Sequence, residues 1–187
     1  MINIAIYASG SGTNAENLIK YFSFSSSARV KVVICNNRSA GVLVRAAALG
    51  VDTAVFDKAQ LPDTMAILKQ RDIDFIILAG FLLKMPEEIV NAYPGKILNI
   101  HPSLIPKYCG KGMYGHHVHE AVIAAKEKES GITIHVVDNQ FDHGEIVFQA
   151  KCEIDASDTP DILAAKIHVL EQENFPKVVE KYLAKFY

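Results

Sequence analysis

The chain has 187 residues, 50% of them apolar and 21% charged, and 19 Lys+Arg against 21 Asp+Glu leave a formal charge of −2. At roughly 100–200 residues per domain this length predicts one domain with a sizeable core. A near-neutral charge without a basic stripe argues against nucleic acid, and the longest apolar stretch, Phe75 to Leu83 with Gly80 inside it, falls far short of the ~20 residues of a membrane span.

Met1 runs straight into Ile2-Asn3-Ile4-Ala5-Ile6-Tyr7. That segment lacks the basic start and small-residue cleavage site of a signal peptide and reads as a first strand. A glycine loop, Ala8 to Asn14, and a helix to Phe22 follow. The pattern repeats with a buried strand over Val30 to Cys35, a helix over Ala40 to Leu49 closed by Gly50, a strand over Thr53 to Phe56, a helix over Pro62 to Arg71 and a strand over Phe75 to Leu78. Val, Ile and Leu runs without alternation, separated by helices, predict a parallel sheet covered on both faces.

After Gly95 the rhythm changes. Lys96 to His101 gives one more strand, and Pro102 to Gly115 is a long irregular segment of the kind that often carries function. His117 to Lys126 can be helical. Ile132, Ile134 and Val136 alternate along one extended run, Glu145 to Glu153 makes another, and Asp138 to Gly144 reads as the loop between them. Asp158 is expected as the N-cap and Pro160 in the first turn of a long C-terminal helix running toward Leu183. The fold class expected is α/β: a doubly wound, Rossmann-like, mostly parallel sheet with a C-terminal antiparallel extension and a long C-terminal helix. No linker or repeat interrupts 1–187, so a single domain is expected, made of a first half 1–100 and a second half 101–187. Cys35, Cys109 and Cys152 are odd in number and widely spaced, which suits reduced thiols and a cytoplasmic location.

Three sets of residues can carry chemistry. The loop Gly10-x-Gly12-x-x-Ala15 follows a strand and opens a helix, so its backbone N–H groups can gather round an anion, with Ser9, Ser11, Thr13 and Asn14 as further donors. It also matches a relaxed dinucleotide fingerprint, but that reading wants an acidic residue about 20 positions on, where Asn36-Asn37-Arg38 stands. A phosphate monoester fits better than a pyrophosphate; a tight glycine turn with no ligand is the other reading. Next, Asn99 and His101 are two apart on a strand and share a face at its carboxyl end, pairing an amide donor with an imidazole as acyl transfer needs. Capping of the strand end is the alternative. Asp142, in Phe141-Asp142-His143-Gly144, would raise the pKa of His101 and orient it if the two met, whereas most loop aspartates are turn formers. His135 on the alternating strand can point toward the same place. His116, His117 and His119 lack zinc spacing, so no metal is expected, and His168 reads as an ordinary helix residue.

On Ser9-Gly10-Ser11-Gly12-Thr13-Asn14, Leu78-Ala79-Gly80-Phe81, Asn99 to Tyr108, Gly131-Ile132-Thr133-Ile134-His135 and Phe141-Asp142-His143-Gly144, the chain resembles the glycinamide ribonucleotide formyltransferase family of folate-dependent enzymes. The resemblance covers nearly the whole chain. It implies formyl transfer from 10-formyltetrahydrofolate to the amine of glycinamide ribonucleotide in purine biosynthesis. It further implies Asn99, His101 and Asp142 as the catalytic trio, with His135 nearby. The substrate phosphate would lie on Gly12, Thr13 and Asn14, and Glu171 would contact the ribonucleotide. Folate would lie against Leu82, Leu83, Lys84 and Met85 and the loop from Asp138, with Asn99 touching it as well. The first half thus becomes the nucleotide-binding half and the second the catalytic and folate-binding half. Small-molecule substrates are the expected partners, with neither nucleic acid nor membrane, for a monomer or weak homodimer. A formyl-folate hydrolase or other formyltransferase on the same fold, and a nicotinamide-binding module, are the rival readings. Two positions where the family commonly carries arginine hold Leu82-Leu83-Lys84 and Lys58-Ala59 instead, and Cys109 to Gly115 is longer and richer in glycine than the usual form. Lys111 or Lys107 could bring that segment onto a phosphate.

Overall fold

The computed structural model describes residues 1–186. Two compact units divide it, Met1–Asn99 and Ile100–Tyr187. Strand β1 spans Ile2–Ala8, helix α1 Thr13–Phe22, β2 Ala28–Cys35, α2 Gly41–Ala48, β3 Asp52–Val55, α3 Thr64–Gln70, β4 Phe75–Leu78, α4 Glu87–Ala92 and β5 Ile97–His101. Then follow α5 His116–Ala124, β6 Glu129–Val136, β7 Ile146–Glu153 and α6 Pro160–Leu183. The seven strands run in the order β3-β2-β1-β4-β5-β6-β7.

In the first unit β1 pairs in parallel with β2 and β4, β2 with β3, and β4 with β5. The unbroken apolar runs have the cause expected of them: Ile4, Ala5, Ile6, Tyr7 and Ala8 are all fully buried, as are Val32 to Cys35. Burying each large aliphatic or aromatic side chain contributes roughly 1.5–3 kcal/mol. Helix α1 buries Ala15, Leu18, Ile19 and Phe22, a stripe at the helical period. Gly12 caps it with φ 82, and a Cβ there would come within 2.5 Å of Val42 on α2. The glycine is therefore required twice, by its left-handed backbone and by the close packing of α2. Helix α4 was not anticipated from the sequence. It has only six residues, and its start is marked by Pro86 followed by Glu87 and Glu88.

The second unit holds the antiparallel pair β6 and β7, from Glu129 opposite Glu153 to His135 opposite Ile146. Gly131 is obligatory in β6, since a Cβ there would lie 1.9 Å from the carbonyl oxygen of Ala150 and 2.7 Å from a methyl of Leu104. A register shift between Ile134 and His135 breaks the ladder where the strand leaves for the loop; such bulges re-aim the side chain that follows. Helix α6 begins one residue later than expected. Thr159 is its N-cap, accepting from the Ile162 N–H at 3.3 Å. Asp158 instead accepts from Lys166 Nζ at 2.6 Å and from the Asp155 N–H at 3.0 Å, because the lysine eight positions on offers it a full charge. Among the described residues no helix is long and apolar enough to cross a membrane.

Candidate active site

The second unit brings His101, Asp142 and His135 together. β5 ends on His101, which is 4% exposed. Its Nδ1 lies 3.6 Å from Asp142 Oδ2, and His135 Nε2 lies 3.5 Å from Asp142 Oδ1. The carboxylate thus stands between two buried imidazoles. Asp142 has φ 50, and its Oδ2 also accepts the Gly110 N–H at 2.9 Å. On the far side of each ring a nitrogen meets a main-chain carbonyl: His101 Nε2 that of Tyr108 at 2.8 Å, His135 Nδ1 that of Val136 at 3.0 Å.

The electrostatics depart from the sequence expectation in one respect. Burial pushes the His101 imidazole below its ordinary range, and the opposing pull of Asp142 and of the Tyr108 carbonyl does not restore it. The expected rise is reversed because desolvation of a nearly enclosed ring outweighs one carboxylate at 3.6 Å. For Asp142, burial would raise the carboxyl, but the bond toward His135, the nearby His101 and the Gly110 N–H outweigh it and hold it below the usual carboxylate range. Near neutral pH this unit therefore presents an ionised carboxylate beside a neutral imidazole. Asn99, partly exposed, precedes His101 by two positions on β5 and so projects from the same strand face.

Other residues of this unit have definite places. Asp138 accepts from the Gln140 N–H at 2.8 Å and faces His143 Nδ1 at 3.0 Å, so its carboxylate organises the loop. Glu171 on α6 lies 3.7 Å from His168 Nδ1. Lys107 is paired with Glu127 at 3.0 Å, whereas Lys111 is exposed. The Cys109 thiol is pushed up by burial and by Asp142 and donates to the Pro106 carbonyl at 3.3 Å. His116 and His117 face Glu120, while His119 is buried with Nδ1 lacking a hydrogen-bond partner.

In the first unit the glycine loop joins β1 to α1 as expected, but Ser9 is not a free donor there. It is buried, its hydroxyl donates to Asn36 Oδ1 at 2.6 Å, and it accepts the Leu82 N–H at 3.1 Å. Asn36 is thereby committed to the scaffold at the place where a dinucleotide site would hold an acidic residue. Arg45 donates to the Ser11 carbonyl at 3.0 Å and pairs with Glu16. Thr13 and Asn14 open α1, the end of a helix at which main-chain N–H groups point outward. Leu82 is exposed, Leu83 partly exposed, Lys84 exposed and Met85 buried.

The sequence did not point to the Tyr108 carbonyl, the Gly110 N–H or Ser103 as parts of this site. The first two are backbone groups, which no residue type announces; Ser103 has the modest signal of lying two residues beyond His101 in an irregular loop.

Comparison with known proteins shows the family. A Formyl transferase family model matches residues 2–179. The chain is 35% identical over 185 residues to the chloroplastic phosphoribosylglycinamide formyltransferase of Arabidopsis thaliana, covering 94% of this chain and 63% of that protein. With the Vigna unguiculata counterpart the share of the relative is 59%, so the chain spans about three fifths of the length of the plant relatives it matches. The phosphoribosylglycinamide formyltransferase of Bacillus subtilis is 31% identical, over 98% of this chain and 95% of that one. Among solved structures, that of phosphoribosylglycinamide formyltransferase from Bacillus halodurans superposes with a TM-score of 0.89 at 34% identity, covering 99% of this chain and 97% of the other. With the family matched over nearly its whole length and the fold shared with solved members, the chain belongs to the formyl transferase family.

Proposed function

We propose that the chain transfers the formyl group of 10-formyltetrahydrofolate to the primary amine of glycinamide ribonucleotide, the reaction of purine biosynthesis named by the relatives. The observation that carries this reading is the buried His101 facing Asp142 at 3.6 Å, on a strand that also carries Asn99, with burial holding the imidazole below its ordinary range.

The amine attacks the formyl carbon, forming the new C–N bond and a tetrahedral intermediate bearing an oxyanion. Asn99 donates its amide N–H to that oxygen; donors aimed at developing charge are worth roughly 2.7–4 kcal/mol each. His101, neutral at the start, takes the proton that the amine sheds, and Asp142 stabilises the imidazolium so formed. The proton then passes to the departing folate nitrogen as the old C–N bond breaks, which returns His101 to its neutral form. No covalent nucleophile is needed, in keeping with the protonated thiol of Cys109.

Gly12, Thr13 and Asn14 are assigned to the ribonucleotide phosphate, supported by their place at the start of α1, where main-chain N–H groups point out of the helix. Glu171 is assigned to the ribonucleotide as well. Leu82, Leu83, Lys84 and Met85, with Asp138 and Asn99, are assigned to the folate; Leu82 is 48% exposed and offers an apolar seat. The protein acts in the cytoplasm on these small molecules, as a monomer or weak homodimer and without nucleic acid. The test is mass spectrometry of the ribonucleotide after incubation with 10-formyltetrahydrofolate and the chain: a gain of one formyl group is expected, and an unmodified ribonucleotide contradicts the proposal.

A further inference from the structure

We propose that Ser103 is a positioning residue for His101, selecting which ring nitrogen does the chemistry. The inference rests on the reading that His101 moves a proton in formyl transfer and deepens it by one atom. A main-chain carbonyl can only accept a hydrogen bond, so the 2.8 Å contact between His101 Nε2 and the Tyr108 oxygen requires a hydrogen on Nε2. The neutral ring is then the Nε2–H tautomer, and its lone pair sits on Nδ1, the nitrogen that faces Asp142. Everything depends on where the Tyr108 carbonyl points.

That direction is fixed by a buried polar construction. Tyr108 has φ 52, a left-handed conformation that a tyrosine adopts only when its surroundings enforce it. Ser103, 0% exposed, places its hydroxyl 2.7 Å from the Lys107 carbonyl and 3.2 Å from that of Tyr108, sharing its one hydrogen between the two. The Ser103 carbonyl in turn accepts from Thr133 Oγ1 at 2.7 Å, which ties the loop to β6. Gln149 on β7 donates to that same Thr133 oxygen at 2.9 Å and to the Ile105 carbonyl at 3.0 Å. At the other end of Tyr108, its phenol donates to Glu127 at 2.9 Å. The turn is held from the strand side through Ser103 and from the outside through Glu127, and His101 reads the result at Nε2. Replacing Ser103 by alanine removes the inner hold while leaving every group that faces the substrate in place.

The experiment is nitrogen-15 NMR of histidine-labelled protein, with His101 assigned by His101→Asn, alongside steady-state kinetics. In the unaltered protein above the His101 pKa, Nε2 is expected to carry the hydrogen and Nδ1 to resonate as an unprotonated nitrogen. In Ser103→Ala the His101 signals are expected to move toward the averaged positions of mixed tautomers, and kcat to fall by about tenfold or more with both KM values within about twofold, as for a misheld general acid–base group. Tyr108→Gly, whose backbone accepts φ 52 without enforcing it, is expected to do the same and guards against a folding defect in the serine variant. A hydrogen on Nδ1 in the unaltered protein overturns the proposal, as does a Ser103→Ala protein that keeps both tautomer and kcat. The NMR result stands without any activity. If His101→Asn retains full turnover while the tautomer is as described, the functional reading fails and the positioning geometry does not.

Discussion

His101 Nδ1 and Asp142 Oδ2 lie 3.6 Å apart, although 41 positions separate the two residues in the chain. Both side chains are nearly enclosed, at 5% and 11% exposure, and each affects the other in opposite ways. The carboxylate favours a protonated ring, and enclosure disfavours it. Enclosure wins at His101, so the ring is free to accept a proton near neutral pH.

The pH profile follows from that balance. With His101 depressed from its ordinary 6.5, the acid limb of kcat/KM is expected below that value, since activity is lost only as pH falls through the lowered pKa and the ring becomes charged. Asp142→Asn removes the one charge that favours protonation; the limb is expected to move to still lower pH, with kcat reduced by about a hundredfold or more. An acid limb that stays put in this variant removes Asp142 from the proton path.

His101→Ala is expected to lower kcat by at least about a hundredfold with small changes in KM, because the lost group acts on the transition state and adds little to ground-state binding. Steady-state kinetics with both substrates varied is the check. A rise in KM alone would make His101 a binding residue.

For the glycine loop, Thr13→Ala and Asn14→Ala are each expected to raise KM for the ribonucleotide by about 10-fold or more, the cost of one hydrogen bond to a charged group at ~1.5–3 kcal/mol. An effect confined to the folate KM would misplace the phosphate.

Gly12→Ala should destabilise the protein by roughly 1–3 kcal/mol, read as a lowered midpoint in urea. Adding Val42→Ala removes the Cγ2 contact at 2.5 Å but leaves the Cβ at 2.5 Å, the Cα at 2.6 Å and the backbone at φ 82, so little recovery is expected. Full recovery would show that packing alone demands the glycine.

Much of the architecture is legible in the sequence because the central strands of the first unit carry runs of fully buried residues, as at Ile4 to Ala8 and Val32 to Cys35, although the edge strand β3 is mostly exposed. A pattern without alternation has few other uses. Helix α4 escaped because six residues are too few for a period to show. Asp158 misled because Asp and Thr are both good caps and stand side by side; Lys166 decides between them, from beyond any local motif. At the site, strand parity placed Asn99 and His101 on one face, but the approach of Asp142 depends on how the loop after β6 folds back, and the aim of His135 on a register shift within that strand. Ser9 lies in the glycine loop as expected, yet its hydroxyl is bonded to Asn36, a partner 27 residues away. Tertiary partners, which the sequence does not name, made each of these differences.

In the proposed reaction the amine of the ribonucleotide, and not water, takes the formyl group. The most direct measurement is tetrahydrofolate release from 10-formyltetrahydrofolate with and without glycinamide ribonucleotide, on the unaltered chain. The expected result is release that depends on the ribonucleotide and matches formylated product one to one. Equal release in its absence would identify a hydrolase and rule out the amine as the acceptor.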